Sequence, residues 1–310
     1  MRLRVTILVV LTLLTLTYRG TAMYMRYFSP DLQTRSYFAA MYTGGEHMVV
    51  RDVEEDQRCL QGIPPEKRVQ VGDRVLEIYD HEGNGGKVHG LFDYGSLLRP
   101  IGSEPWRMVV ARPIGGDLEH PDELKRVEIA MPPATPVQWP LSEWAAALGL
   151  DLFLPALALA VGCLVGFLRP RDPLAFLAAL MFIAFSMWFR QSVVQLPVGV
   201  RELCYVLTTA ALFVTPYLFM HFFLLFPKRS AIDRRAPWLR PAALAATLVF
   251  FVLDVIADGS LMLSFSMAEK VRAAMEPLWL NRATMGWGWF LLTGAMIAIS
   301  FLALLRTAFR

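Results

Sequence analysis

The sequence predicts a polytopic α-helical membrane protein of about six transmembrane helices, with a small β-rich domain inserted after the first. Three observations predict it. Hydrophobic residues make up 55% of the 310 and charged residues only 18%, with a mean hydropathy of +0.42, too apolar for a chain that shows its whole surface to water. The charges are also segregated. Residues 19–140 hold 14 Lys+Arg and 18 Asp+Glu, whereas the rest of the chain holds 16 and 9. Finally, the apolar runs outside that acidic block approach or reach the roughly 20 residues that a bilayer crossing needs. A water-soluble intracellular enzyme is excluded. So is a nucleic-acid binder, because the basic residues form no stripe on a soluble face.

The first run, 5–18, follows Arg2 and Arg4. It reads as an uncleaved anchor within 1–23 rather than a signal peptide. Tyr18-Arg19 stands where a small-residue cleavage site would be, and Arg4 and Arg19 can snorkel. The second run is 146–168, interrupted only by Asp151. The third opens on Asp172-Pro173, an N-cap with proline at the first helical position, and extends to residue 189. The fourth, 203–226, ends on Pro227-Lys228-Arg229. The fifth starts at Pro241 and fades at Asp254 and Asp258, and the sixth covers 283–305. Together 141–310 reads as a five-helix bundle.

The positive-inside rule sets the expected orientation. With the N-terminus cytoplasmic, eleven basic residues (Arg2, Arg4, Arg169, Arg171, Lys228, Arg229, Arg234, Arg235, Arg240, Arg306 and Arg310) fall inside. Five (Arg190, Arg201, Lys270, Arg272 and Arg282) fall in short outer loops. Both termini are thus expected on the cytoplasmic side and 24–140 outside. Ser266-Met267-Ala268-Glu269 has capping-box spacing, and Met267, Val271, Ala274 and Leu278 then recur on one face, predicting an interfacial helix on the outer surface.

Within 24–140 the pattern changes to short strands and glycine turns. Strands are expected at 48–53, at Val71-Gly72-Asp73-Arg74-Val75-Leu76-Glu77-Ile78, at 107–111 and at 126–130. A turn is expected at Gly83-Asn84-Gly85-Gly86, a short helix near 92–99, and a loop over 115–123. Gly72-Asp73 leading into a strand, followed by a turn, a short helix and two final strands, resembles a PDZ domain. The resemblance implies peptide binding by strand addition: Thr43, Gly44 and Gly45 would supply the carboxylate loop, and Met48, Val49 and Val50 the groove strand. The alternative is a β-rich spacer.

The anchor, PDZ-like domain and bundle together resemble the input half of two groups of bacterial signalling proteins, ComP-like sensor histidine kinases and membrane-anchored SpoIIE-like serine/threonine phosphatases. The motifs that carry this resemblance are Leu168-Arg169-Pro170-Arg171-Asp172-Pro173 and His221-Phe222-Phe223-Leu224-Leu225-Phe226-Pro227. It implies a sensor module that relays an extracytoplasmic signal to a cytoplasmic output domain outside this chain. An envelope scaffold and a small-solute transporter are the competing expectations.

Catalytic chemistry is not expected from these residues. No two of His47, His81, His89, His120 and His221 have metalloprotease spacing, Gly86-Lys87 lacks the rest of a phosphate loop, and there is no Gly-x-Ser-x-Gly. Cys59, Cys163 and Cys204 have no paired spacing. No cofactor or metal is expected. The ionisable residues inside spans are the candidate site residues: Asp151 and Asp254, near the outer ends of their helices, for a ligand pocket, and His221 for coupling or pH sensing. For His221 the other reading is a neutral imidazole bonded to a neighbouring helix. Expected partners are the lipid bilayer, a peptide or small-molecule signal, and a second copy of the chain in a homodimer.

Overall fold

The computed structural model describes residues 2–23, 39–44, 47–53, 64, 67–98, 104–114, 123–131, 142, 145, 148–188, 199–276 and 282–308. The candidate site residue Gly45, together with Cys59, His120 and residues 115–122 of the expected loop over 115–123, lies outside the described residues.

An N-terminal helix, α1 (Arg2–Met23), precedes β1 (Ala39–Gly44), β2 (His47–Val53), β3 (Arg74–Tyr79) and β4 (Gly85–Lys87). A short helix α2 (Leu91–Leu98) leads to β5 (Trp106–Ile114) and β6 (Glu123–Met131). A π-helical turn, Gly149–Phe153, then runs directly into α3 (Leu154–Leu168). After it come α4 (Pro173–Trp188), α5 (Val200–Leu225), α6 (Ala231–Arg235), α7 (Leu239–Leu263), α8 (Phe265–Met275) and α9 (Arg282–Ala308).

The strands form one antiparallel sheet in the order β1-β2-β3-β5-β6, with β4 paired to β3. In β6, Ile129 and Met131 are buried while Glu128 and Ala130 are exposed, the period-two alternation of a half-buried strand. Val50, Val75, Ile78, Met108 and Ile129 make the core, and Leu91, Tyr94 and Leu97 of α2 cover it. The Gly72-Asp73 pair has a physical explanation. Gly72 adopts φ 92°, a conformation other residues avoid. Asp73 is fully buried, accepts from the Gln70 N–H at 2.8 Å, and pairs with the Arg112 guanidinium of β5 at 2.8 Å. The turn is thereby fixed to a neighbouring strand.

Among the described residues, five helices are long and apolar enough to cross a membrane: α1, the continuous stretch Gly149–Leu168, α5, α7 and α9. The third expected span is shorter. Helix α4 has 16 residues, about 24 Å at 1.5 Å per residue. It is the interior helix, with Ala175, Ala178, Ala179, Met181, Ile183 and Met187 all buried, which explains why it is apolar all round. Gly166 lets α1, α3 and α4 approach closely, since a Cβ there would lie 2.7 Å from Leu8 and 2.8 Å from Ala179.

Several expected details shift. Gly85 and Gly86 are paired with Tyr79 and Ile78 in β4 rather than forming the turn, which lies earlier, with Asp80 N–H donating to Asn84 O. Helix α7 does not fade at Asp254 but continues to Leu263. Helix α8 begins at Phe265 with Ser264 in extended conformation at its N-cap, so Ser266 lies within the helix rather than capping it.

Candidate functional site

The sheet is seated on one end of the helical bundle. Gly90, just before α2, presses on the C-terminal end of α7: a Cβ at this position would lie 2.7 Å from both the backbone carbon and the carbonyl oxygen of Leu263. Leu261 of α7 packs against the sheet core. Phe92 of α2 enters a buried cluster with Tyr18 of α1, Met187 of α4, and Cys204 and Tyr205 of α5. Its ring meets Tyr205 edge-on at 6.4 Å between centroids. The Arg201 side chain, 8% exposed, clamps the joint. It donates from Nη1 to the Phe92 carbonyl at 2.8 Å and to the Ser96 hydroxyl, and its guanidinium stands 4.6 Å above the Phe92 ring centre. Nε donates to Glu202 at 2.8 Å, and Glu202 in turn accepts from the Gly199 N–H at 2.6 Å.

The clamp places the sheet against the C-terminal ends of α1, α4 and α7 and the N-terminal end of α5. Arg169, Arg171, Arg229, Arg234, Arg235, Arg240 and Arg306 lie at the opposite ends of their helices or in the segments joined to them. The sheet and these seven arginines therefore occupy opposite ends of the bundle.

His221 lies near the basic end of α5. The Tyr217 hydroxyl is 3.1 Å from its Nδ1, and Arg240 Nη1 is 3.3 Å from its Nε2. A guanidinium only donates, so Nε2 is the accepting atom in the contact with Arg240 of α7. This is the histidine bonded to a neighbouring helix. Arg240 also pairs through Nε with the fully buried Asp233 at 2.7 Å. Asp233 takes a second cation, Arg229, and its backbone N–H is capped by Ser230 Oγ at 3.1 Å. Two arginines thus converge on one buried carboxylate. Between the two ends, α5 carries Pro216, whose missing N–H leaves the Leu212 carbonyl without its helical donor. Thr208 and Thr215 donate their hydroxyls to the carbonyls of Cys204 and Ala211, at 2.8 and 2.6 Å.

Asp151 and Asp254 occupy different cavities. Asp151 lies in the π-helical turn and lines a cavity of about 480 Å³ with Arg19, Leu16, Leu159 and Ser186. Asp254 lines a cavity of about 260 Å³ with Asp258, Phe213, Phe250 and Trp289. The three ionisable residues singled out in the sequence are thus not brought together. Among the described residues, no group of three or more His, Cys, Asp or Glu side chains is arranged to hold a metal ion.

In the sheet, Thr43 and Gly44 belong to β1 and pair with Met48 and His47. Met48 and Val49 pair with β3 on their other side, and Val50 exchanges hydrogen bonds with Asp73 and Gly72. Both edges of β2 are therefore occupied, and a peptide joining at Met48, Val49 and Val50 would have to displace a strand of the domain itself.

Sequence reasoning underrated Arg19 and Arg201, one treated as a snorkelling residue and the other as an outer-loop charge. The usable signal was position: each stands within a turn of an apolar run, where a cation is costly unless it has a task. The fold and the site define a helical membrane protein with a β-sheet domain clamped to one end of its bundle. No family model, curated protein or solved structure matches the chain.

Proposed function

We propose that this chain is a membrane-embedded sensor or input module. Its sheet domain, read as PDZ-like from the Gly72-Asp73 turn, the single covering helix and the two final strands, faces the extracytoplasmic side. The basic end then faces the cytoplasm, as the distribution of arginines favours. The carrying observation is the clamp made by Gly90, Phe92 and Arg201. It joins the sheet to α5 and α7 at one end, and at the other His221 of α5 meets Arg240 of α7, which pairs with Asp233 of α6.

A ligand that favours one docking geometry of the sheet would bias one arrangement of α5 and α7. Differential affinity for two such states is the physical requirement for a relay. The cytoplasmic readout is an output domain or partner of the kind the resemblance to sensor kinases and phosphatases implies. To test this, a reporter domain is fused beyond Arg310 and its output measured in native and Arg201→Ala chains. Loss of signal-dependent output, with insertion and expression unchanged, supports the relay. Unaltered output in Arg201→Ala and Gly90→Ala, or solute flux in reconstituted vesicles above that of empty ones, overturns it.

A further inference from the structure

The cavity beside Asp151 combines features that the relay does not use. Arg19 of α1 is 8% exposed. Nη2 donates to the Ser186 carbonyl of α4, while Nε and Nη1 are buried with no hydrogen-bond partner among the described residues. Two guanidinium donors out of water and without acceptors are costly to keep. Their side chain lines the cavity of about 480 Å³ between α1 and α3, within the volume range of small-molecule sites. Away from Arg19 the walls are mostly apolar, formed by Leu16, Leu152, Pro155, Leu159 and Ala160, while the Thr12 hydroxyl is bonded to Cys163 and that of Thr15 to the Leu11 carbonyl. Leu16 and Leu152 are also about half exposed, at 52% and 46%, so the cavity opens sideways onto the apolar flank of the bundle. Asp151 stands on the π-helical turn within electrostatic reach of Arg19, and such turns often mark functional positions.

We propose that this cavity binds an amphiphile whose headgroup carries a single negative charge, a fatty carboxylate or a phosphodiester lysolipid. Arg19 Nε and Nη1 take the anion, in the fork geometry that guanidinium offers to carboxylate and phosphate. The hydrocarbon chain lies along Leu16, Leu159 and Ala160 toward the middle of the bundle. Asp151 opposes the ligand. Its carboxylate repels the headgroup that Arg19 attracts, and the one guanidinium in the cavity pairs with one anionic charge only. This inference does not rest on the relay reading, because binding is measured on the purified chain without any output.

The test uses the full chain in nanodiscs of zwitterionic lipid. Equilibrium binding is measured for a twelve-carbon saturated carboxylate, its methyl ester, a lysophosphatidylglycerol of the same chain length, and inorganic phosphate. In the native chain the carboxylate or the lysolipid binds at least tenfold more tightly than the ester, and whichever binds tighter identifies the source of the anion. Arg19→Gln weakens that binding about tenfold or more without affecting the ester, and Asp151→Asn strengthens it. A cavity that merely packs would not give opposite signs at two neighbouring residues. Equal binding of ester and both anions in the native chain overturns the proposal, as does unchanged affinity in Arg19→Gln. Full displacement by inorganic phosphate at equal concentration also overturns it, by showing a free-anion site. Should Arg19→Gln not fold, Arg19→Lys, which keeps the charge but loses the fork, is expected to fall between, and the ester comparison in the native chain stands by itself.

Discussion

Arg201→Ala is the perturbation that most directly loads the joint between sheet and bundle. In the native chain Arg201 makes two charge-assisted hydrogen bonds to α2, to the Phe92 carbonyl and the Ser96 hydroxyl, and places its guanidinium over the Phe92 ring. A hydrogen bond to a charged group contributes about 1.5 kcal/mol at the lower end of its range, and a cation–π contact about 1 kcal/mol. The docked state should then lose about 4 kcal/mol relative to an undocked one, a factor of roughly 10³ at 1.4 kcal/mol per tenfold. Part of the loss is offset because Glu202, on the same turn, is released to water. The assay is hydrogen exchange of the α2 amides in the full chain. Native α2 is expected to be strongly protected, and Arg201→Ala to raise its exchange by two to three orders of magnitude while β5 and β6 stay protected. Arg272→Ala, which removes only an exposed 3.4 Å pair with Glu269, should change nothing. If α2 protection is the same in native and Arg201→Ala chains, the clamp does not hold the domain, and the reasoning fails.

Other outcomes follow from the same contacts. Gly90→Ala puts a methyl group 2.7 Å from the Leu263 carbonyl and should cost about 1–3 kcal/mol of docking, again visible as α2 exchange. Arg112→Ala strips the buried Asp73 of its 2.8 Å partner and should destabilise the sheet by about 3–5 kcal/mol, lowering its denaturation midpoint while the helical signal persists. At the basic end, Asp233→Ala leaves Arg229 and Arg240 without their shared carboxylate and should loosen the α5–α7 contact there, raising labelling of a cysteine at Ile232. In the sheet, the hydrogen bond from Tyr79 to Glu77 holds the phenol above its ordinary value near 10. Because the folded value is raised, this contribution is present below the unfolded value and lost as pH rises through the folded one. An ultraviolet titration of Glu77→Gln should shift the Tyr79 midpoint downward.

Composition and period made much of this architecture readable. The segregation of charge separated the sheet domain from the helices, and continuous apolar runs located the spans. The Gly72-Asp73 turn was legible because its φ of 92° and its buried carboxylate both require those residue types. What escaped the sequence was long-range. Arg201 and Phe92 are 109 positions apart, and nothing local in either marks the other as its partner. Arg19 and Ser186, separated by 167 positions, meet only through the packing of α1 against α4. The expected edge at Met48, Val49 and Val50 fell to the same cause. Strand order is a tertiary property, and β1 covers an edge that local pattern left free.

A relay across the bilayer requires the sheet and the basic end of the bundle to lie on opposite sides of a membrane. Single cysteines at Glu82, an exposed sheet residue, and at Arg234, in the basic segment, can be introduced in a background without Cys59, Cys163 and Cys204. Each is then treated with an impermeant maleimide in right-side-out and inside-out vesicles. Labelling at 82 only in right-side-out vesicles, and at 234 only in inside-out ones, is the predicted result. Labelling of both positions from the same side would contradict the account.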